Sequence, residues 1–495
     1  MSSPVAPHPQ HVMSSISTTH RRPLLTQDFD PNHPSNNHRS SFAHPNSRHT
    51  HSAHRAADPF SLDSSSLVDS TGKDRFHSQS ATIGGLDGSE RAAAYNLCNF
   101  ILGSGIIALP AAMGQAGLIV GICLLLLQSL TTNYSLRLLI SCGLKLKVFD
   151  YEELLRTTFG KRGWYLGIAS IFLLDFGVMV TFLIILTDTL TPVLSFYFNG
   201  TIIGAWFASR TFTLWLVSLI AILPVSLLRS MKELGWVSLV SIGSVALIVA
   251  LLIAKIIFGH EEVDAPITKS DVGASTSLWT FTGTDFWSAF GCISFVFVCH
   301  DGSFAIFQSL SVPSQPRWNA VVQTSVLLAA IPSIILSVCG HLAFGGGDGV
   351  VHGNVLNHFA NSDHAANIAR LALATSMVMT YPLNLFMCRH VLTKMIGASS
   401  TRHLTMARHV TLTIVLFLAS LTCATFLTDL GIVQSIVGAT TGSLLAFILP
   451  ALVAMRTAQM IEGRPYLTRD NLPNLFLLAL GLTAVTTVTC KALFQ

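Results

Sequence analysis

Asn96-Leu97-Cys98-Asn99-Phe100-Ile101-Leu102-Gly103-Ser104-Gly105-Ile106-Ile107-Ala108-Leu109-Pro110 is the stretch whose reading decides the fold. It is apolar enough to cross a bilayer, yet Gly103 and Gly105 flank Ser104 near its middle. Glycine eases departure from helical geometry, while an unpaired amide or carbonyl in hydrocarbon costs several kcal/mol. A span broken at this point persists only where it lines a buried cavity or holds a ligand. Its bare helix ends call for a small zwitterion, together with a cation, to replace the lost hydrogen bonds.

The composition around this stretch agrees with a membrane setting. Of 495 residues, 51% are hydrophobic and only 11% charged, with mean hydropathy +0.57. A soluble chain carries roughly 25% charged residues, so the sequence describes a polytopic membrane protein. The net charge of +4 is small; its placement matters more than its size, and no nucleic-acid partner is expected. The nine cysteines all lie within or at the edge of apolar segments. A disulfide framework is therefore not expected, and no CxxC pair marks a metal site. No basic-then-apolar leader opens the chain, so the first span is expected to direct insertion.

Residues 1–90 are rich in Ser, His, Pro and Asn and hold ten of the nineteen histidines, scattered rather than at ligand spacing. They read as a disordered cytosolic tail. Arg21-Arg22-Pro23-Leu24-Leu25 resembles a basic dileucine sorting signal, a short match with a high chance rate.

Beyond the tail, hydropathy predicts eleven spans, at 92–113, 118–141, 164–193, 211–228, 236–258, 284–310, 319–344, 366–388, 408–427, 431–455 and 472–491. The loops after the even-numbered spans carry fifteen Lys and Arg, among them Lys145, Lys147, Arg229, Arg317, Lys394 and Arg456, against five on the other side. The positive-inside rule then puts the N-terminal tail in the cytosol and the C-terminus outside or in a lumen. Asn199-Gly200-Thr201 is a glycosylation sequon in a loop placed outside, which makes Asn199 a candidate site.

Spans 1 and 6 are the two with a polar, glycine-bearing break; the second reads Cys299-His300-Asp301-Gly302. They stand five spans apart, and an odd offset inverts one five-helix repeat relative to the other. Both breaks then face each other near the bilayer midplane. The half-helices after Gly105 and Gly302 offer amide hydrogens to a carboxylate, and those before them offer carbonyls to an ammonium group or Na⁺. The substrate contacts expected from this arrangement are Leu102, Gly103, Ser104, Gly105, Ile106, Val298, Cys299, His300 and Asp301.

Asn99 through Pro110, followed by Gln115-Ala116-Gly117, resembles the opening of the amino acid/auxin permease superfamily, closest to its sodium-coupled neutral amino acid transporter branch. Phe295-Val296-Phe297-Val298-Cys299-His300 resembles that branch's sixth-span motif, and Thr380-Tyr381-Pro382 with Arg389 its eighth. The resemblance covers residues 90–492. It implies an all-α fold of LeuT-like five-plus-five inverted repeats with broken helices 1 and 6 and an extra C-terminal helix. It also implies a transporter domain over 91–492 that works by alternating access, functions as a monomer and carries amino acids, small or neutral ones being favoured. In the sodium-coupled members a cation site lies between the first and eighth spans, where Asn99 and Thr380 fall. Two features leave a proton open as the alternative to Na⁺: the outer loop lacks a cysteine for the disulfide many such members carry, and position 301 is acidic.

Asp175, mid-way along span 3, is the deepest carboxylate, and at that depth an ionised Asp costs about 2.5–3.5 kcal/mol on insertion scales. It is expected to face the interior and either pair or take up a proton. With His300 and Asp301 it completes the candidates for ion coupling. Asp188 reads as a gate or surface group, Arg137 as a snorkelling anchor, and Pro332 and Pro382 as kinks.

No HExxH, GxSxG or Walker pattern supports an enzyme, and no cofactor is expected. A channel would favour symmetric rings of carbonyls or charges, which one internally inverted chain does not offer. A nutrient sensor using the same fold and signalling through the tail is the remaining alternative. The topology suits a plasma membrane and a vacuolar or lysosomal membrane equally.

Overall fold

A computed structural model describes residues 88–103, 105–228, 237–258, 285–344, 353–395 and 405–494. Ser104 and the tail up to residue 87, including the dileucine-like segment, lie outside the described residues. Among the described residues there are helices and turns and no strand.

The chain opens with α1 (Gly88–Leu102). A short 3₁₀ turn (Ile106–Ala108) leads into α2 (Leu109–Ala116), which has Pro110 in its first turn, where a missing N–H is harmless. The two arms meet at a bend of 43°. Gly117, at φ 85°, turns the chain into α3 (Leu118–Leu146).

α4 (Tyr151–Tyr197) runs for 47 residues. At 1.5 Å per residue that is about 70 Å, more than twice the roughly 30 Å of hydrocarbon. Gly160, at φ 69° and ψ −157°, divides it. The segment before the kink, polar overall, buries Tyr151, Leu154, Leu155 and Thr158 at helical spacing. Tyr151 Oη donates to the Leu445 carbonyl at 2.8 Å, and Lys394 pairs with Glu152.

A short helix, α5 (Ile202–Phe207), is capped by Thr201, which accepts from the Gly204 N–H. The remaining elements are α6 (Arg210–Ser226), α7 (Val237–Phe258), α8 (Phe286–Phe297), α9 (Ser303–Gln308), α10 (Gln315–Phe344), α11 (His364–Met395), α12 (Met406–Phe426), α13 (Leu430–Glu462) and α14 (Leu472–Phe494). Wide π turns occupy Gly438–Gly442 and Leu444–Ile448 within α13.

Among the described residues seven helices are long and apolar enough to cross a membrane, or eight if the bent α1–α2 pair counts as one. The protein is thus an all-helical membrane protein.

Several side chains that would be costly in lipid are turned inward and bonded. Trp318 Nε1 donates to the Leu136 carbonyl at 3.1 Å, and Gln128 Nε2 to Ser294 Oγ at 2.5 Å, joining α3 to α10 and α8. α8 and α13 cross so closely that a Cβ on Gly291 would stand 3.0 Å from that of Ala439, and Ser288 and Ser435 share a hydroxyl contact of 2.8 Å there. All nine cysteines are free thiols.

Candidate functional site

α1 ends at Leu102, and α8 ends at Phe297, where Val298 takes up extended backbone (φ −83°, ψ 115°) before α9 begins at Ser303. The two interruptions touch. A Cβ on Gly105 would lie 2.6 Å from Val296 Cγ2 and 3.1 Å from Val296 Cα, so glycine is what permits this approach.

Beside the contact lies a cavity of about 50 Å³. α1 and its break contribute Asn99, Phe100, Ile101, Gly103 and Gly105; α4 contributes Leu174, Asp175, Val178 and Phe182. The last turn of α8 supplies Phe295 and Val296, the break after it Val298 and Asp301, and α11 supplies Thr380, Leu383 and Asn384. No Lys, Arg or His lines it.

The polar groups here lean toward acceptance. Asn99 Oδ1 and Asp175 Oδ2 are buried and have no hydrogen-bond partner, as has Ser376 Oγ one turn before Thr380. Thr380 Oγ1 donates to the Ser376 carbonyl at 2.8 Å, which leaves its oxygen lone pairs available. Asn384 Nδ2 donates to the Thr380 carbonyl at 3.5 Å. Neutral oxygens joined by a carboxylate form a donor set suited to a hard monovalent cation. Among the described residues no cluster of three His, Cys, Asp or Glu side chains is placed to hold a metal ion.

The expected substrate contacts divide. Gly103, Gly105, Val298 and Asp301 line the cavity, as do the ion candidates Asn99, Thr380 and Asp175. Leu102, Ile106, Cys299 and His300 are buried but absent from its wall, and Ser104 lies outside the described residues. His300 turns the other way, its Nε2 2.7 Å from Ser135 Oγ on α3.

Sequence reasoning missed Asn384 and the apolar wall of Leu174, Val178, Phe182 and Leu383. A helical-spacing signal existed for these: Val178 and Phe182 follow Asp175 by three and seven residues, and Asn384 follows Thr380 by four. Away from the cavity, Asp188 pairs with Arg210 at 3.3 Å, and Arg137 donates to the Asn319 carbonyl at 3.3 Å. Arg389 is buried and donates to Thr413 Oγ1 at 2.7 Å. Asn199 is exposed just past the end of α4.

The helix ends thus enclose a buried, acceptor-rich cavity within a helical membrane protein. Residues 87–492 match the family described as transmembrane amino acid transporter protein, and the chain belongs to that family. It is 31% identical to the rat sodium-coupled neutral amino acid transporter 11 over 371 residues, 75% of this chain and 78% of the relative. Human sodium-coupled neutral amino acid transporter 7 is 27% identical, with 78% of this chain and 84% of that protein covered. Vacuolar amino acid transporter 2 of Saccharomyces cerevisiae is 27% identical, with 73% and 75% covered. Among solved structures, a Na⁺-coupled sialic acid symporter aligns at a TM-score of 0.49 and 14% identity, over 80% of this chain and 88% of its own.

Proposed function

We propose that the protein is a secondary active transporter that moves small or neutral amino acids by alternating access, coupled to Na⁺. The observation that carries the reading is the meeting of the two breaks at one cavity where Asn99 Oδ1 stands buried and unpartnered. A buried amide oxygen left open costs about 1–3 kcal/mol, and a bound cation removes that cost. Asn99 and Thr380 would hold the ion. The backbone at Gly103 and Gly105 would receive the substrate carboxylate, and Asp301 the ammonium group.

The cavity volume supports a small solute. A water needs roughly 10–15 Å³ of such space, so 50 Å³ admits only about three to five atoms of that size. This is the scale of the smallest amino acids. In the same reading α6, α7 and the α8–α9 pair are spans too, which gives eleven in two inverted sets of five and a final α14. The amino terminus then faces the cytosol.

A proton as the coupling ion is the second reading, favoured by the unpartnered oxygen of Asp175 on the same cavity. Uptake of labelled alanine into proteoliposomes under separately imposed Na⁺ and H⁺ gradients tests both. Sodium-stimulated uptake that loses its sodium dependence in Asn99→Ala and Thr380→Ala is the expected result. Stimulation by H⁺ alone would transfer coupling to Asp175, and stimulation by neither would overturn coupled transport.

A further inference from the structure

Phe100 is the only ring that the last turn of α1 presents to the cavity, and it rests on bare backbone. A Cβ on Gly302 would lie 3.1 Å from Phe100 Cε1, 3.2 Å from Cζ and 3.5 Å from Cδ1, so the ring is seated on the one residue of the second break that has no side chain. Gly302 is itself buried and cannot yield. Behind it α9 is held from the other side, with Phe307 stacked on Phe149 at 6.2 Å between centroids and Gln308 Nε2 bonded to the Phe149 carbonyl at 2.6 Å. The ring therefore cannot sink away from the cavity. A solute entering between the two breaks meets its other face.

We infer that Phe100, seated on Gly302, is the specificity-determining residue that sets the upper size of the transported side chain. This rests on the transport reading above and goes beyond it by naming the group that imposes the size limit. Phe100 lines a space of about 50 Å³. Removing its six ring carbons enlarges that space without touching Asn99, Thr380 or either carboxylate. A methyl group at position 302 acts in the opposite sense, because it stands tighter to the ring than an ordinary contact and pushes it into the cavity.

The test is competition against labelled alanine uptake in proteoliposomes by unlabelled glycine, alanine, leucine and phenylalanine, for the wild type, Phe100→Ala, Phe100→Leu and Gly302→Ala. The wild type is expected to prefer the two smallest. Phe100→Ala is expected to improve leucine and phenylalanine at least about ten-fold relative to glycine, the scale on which a pocket discriminates by side-chain size. Phe100→Leu, which keeps a packed side chain if the alanine variant folds poorly, gives a smaller shift of the same sign. Gly302→Ala is expected to narrow the range toward glycine, and Phe100→Leu combined with Gly302→Ala to restore alanine uptake. An unchanged order of competitors in both Phe100 variants, with the wild type active, would overturn the inference while leaving the transport reading standing. A wild type that takes up no amino acid would overturn that reading, and the inference with it.

Discussion

Arg370 and Asp175 are both buried ionisable side chains within the helical bundle, and their surroundings differ: Arg370 leaves only Nε open and bonds through both terminal nitrogens. Arg370 Nη1 donates to the Ala360 carbonyl and Asn367 Oδ1, and Nη2 to the Leu356 and Phe359 carbonyls, at 2.7–3.4 Å. These bonds pin the segment around the Val355–His358 turn to α11. Asp175 leaves Oδ2 without a partner, and Asn99 Oδ1 nearby on the same cavity is equally open. Low dielectric makes each unmade bond costly. A buried polar group surrounded by acceptors holds the fold; one left open beside a cavity is free to meet a ligand.

That contrast is broken most directly at Arg370. Arg370→Ala strands several carbonyls and is expected to cost about 3–5 kcal/mol of stability, read as loss of folded protein in thermal unfolding of the purified transporter. At Asp175 stability and activity should separate. Asp175→Asn keeps the size and polarity of a side chain that lacks full hydrogen bonding but removes its acid–base group, so the thermal midpoint stays level or rises while amino acid uptake falls at least about ten-fold. A midpoint that drops as far as that of Arg370→Ala would erase the distinction.

The smallest effect sharpens it at His300, which sequence reasoning put among the solute contacts. Ser135→Ala, which deletes the hydroxyl 2.7 Å from its Nε2, is expected to cost about 1 kcal/mol. The order of preferred substrates and the sodium response should stay as in the wild type. A changed substrate order would return His300 to the site.

The parts legible in the sequence are those with a period or a composition. Asn99 and Gly103 lie four residues apart on one helical face, and both reach the cavity. The break after them announces itself through glycine. The amphipathic start of α4 was equally periodic, with buried positions at Tyr151, Leu154, Leu155 and Thr158, but its charged residues suggested a polar connection instead. Inside the second break no period operates. Neighbouring His300 and Asp301 point to different partners, one to α3 and the other to the cavity, and spacing alone cannot separate them.

The corner within α4 has a consequence of its own. A side chain at Gly160 would meet nothing within 4 Å, so bulk is irrelevant there, while φ 69° with ψ −157° belongs to a region open in practice to glycine alone. What the position demands is chirality. D-alanine installed by chemical ligation would sit there at ease, and L-alanine, identical in every atom count, would strain the corner that joins the polar first arm of α4 to its apolar second arm.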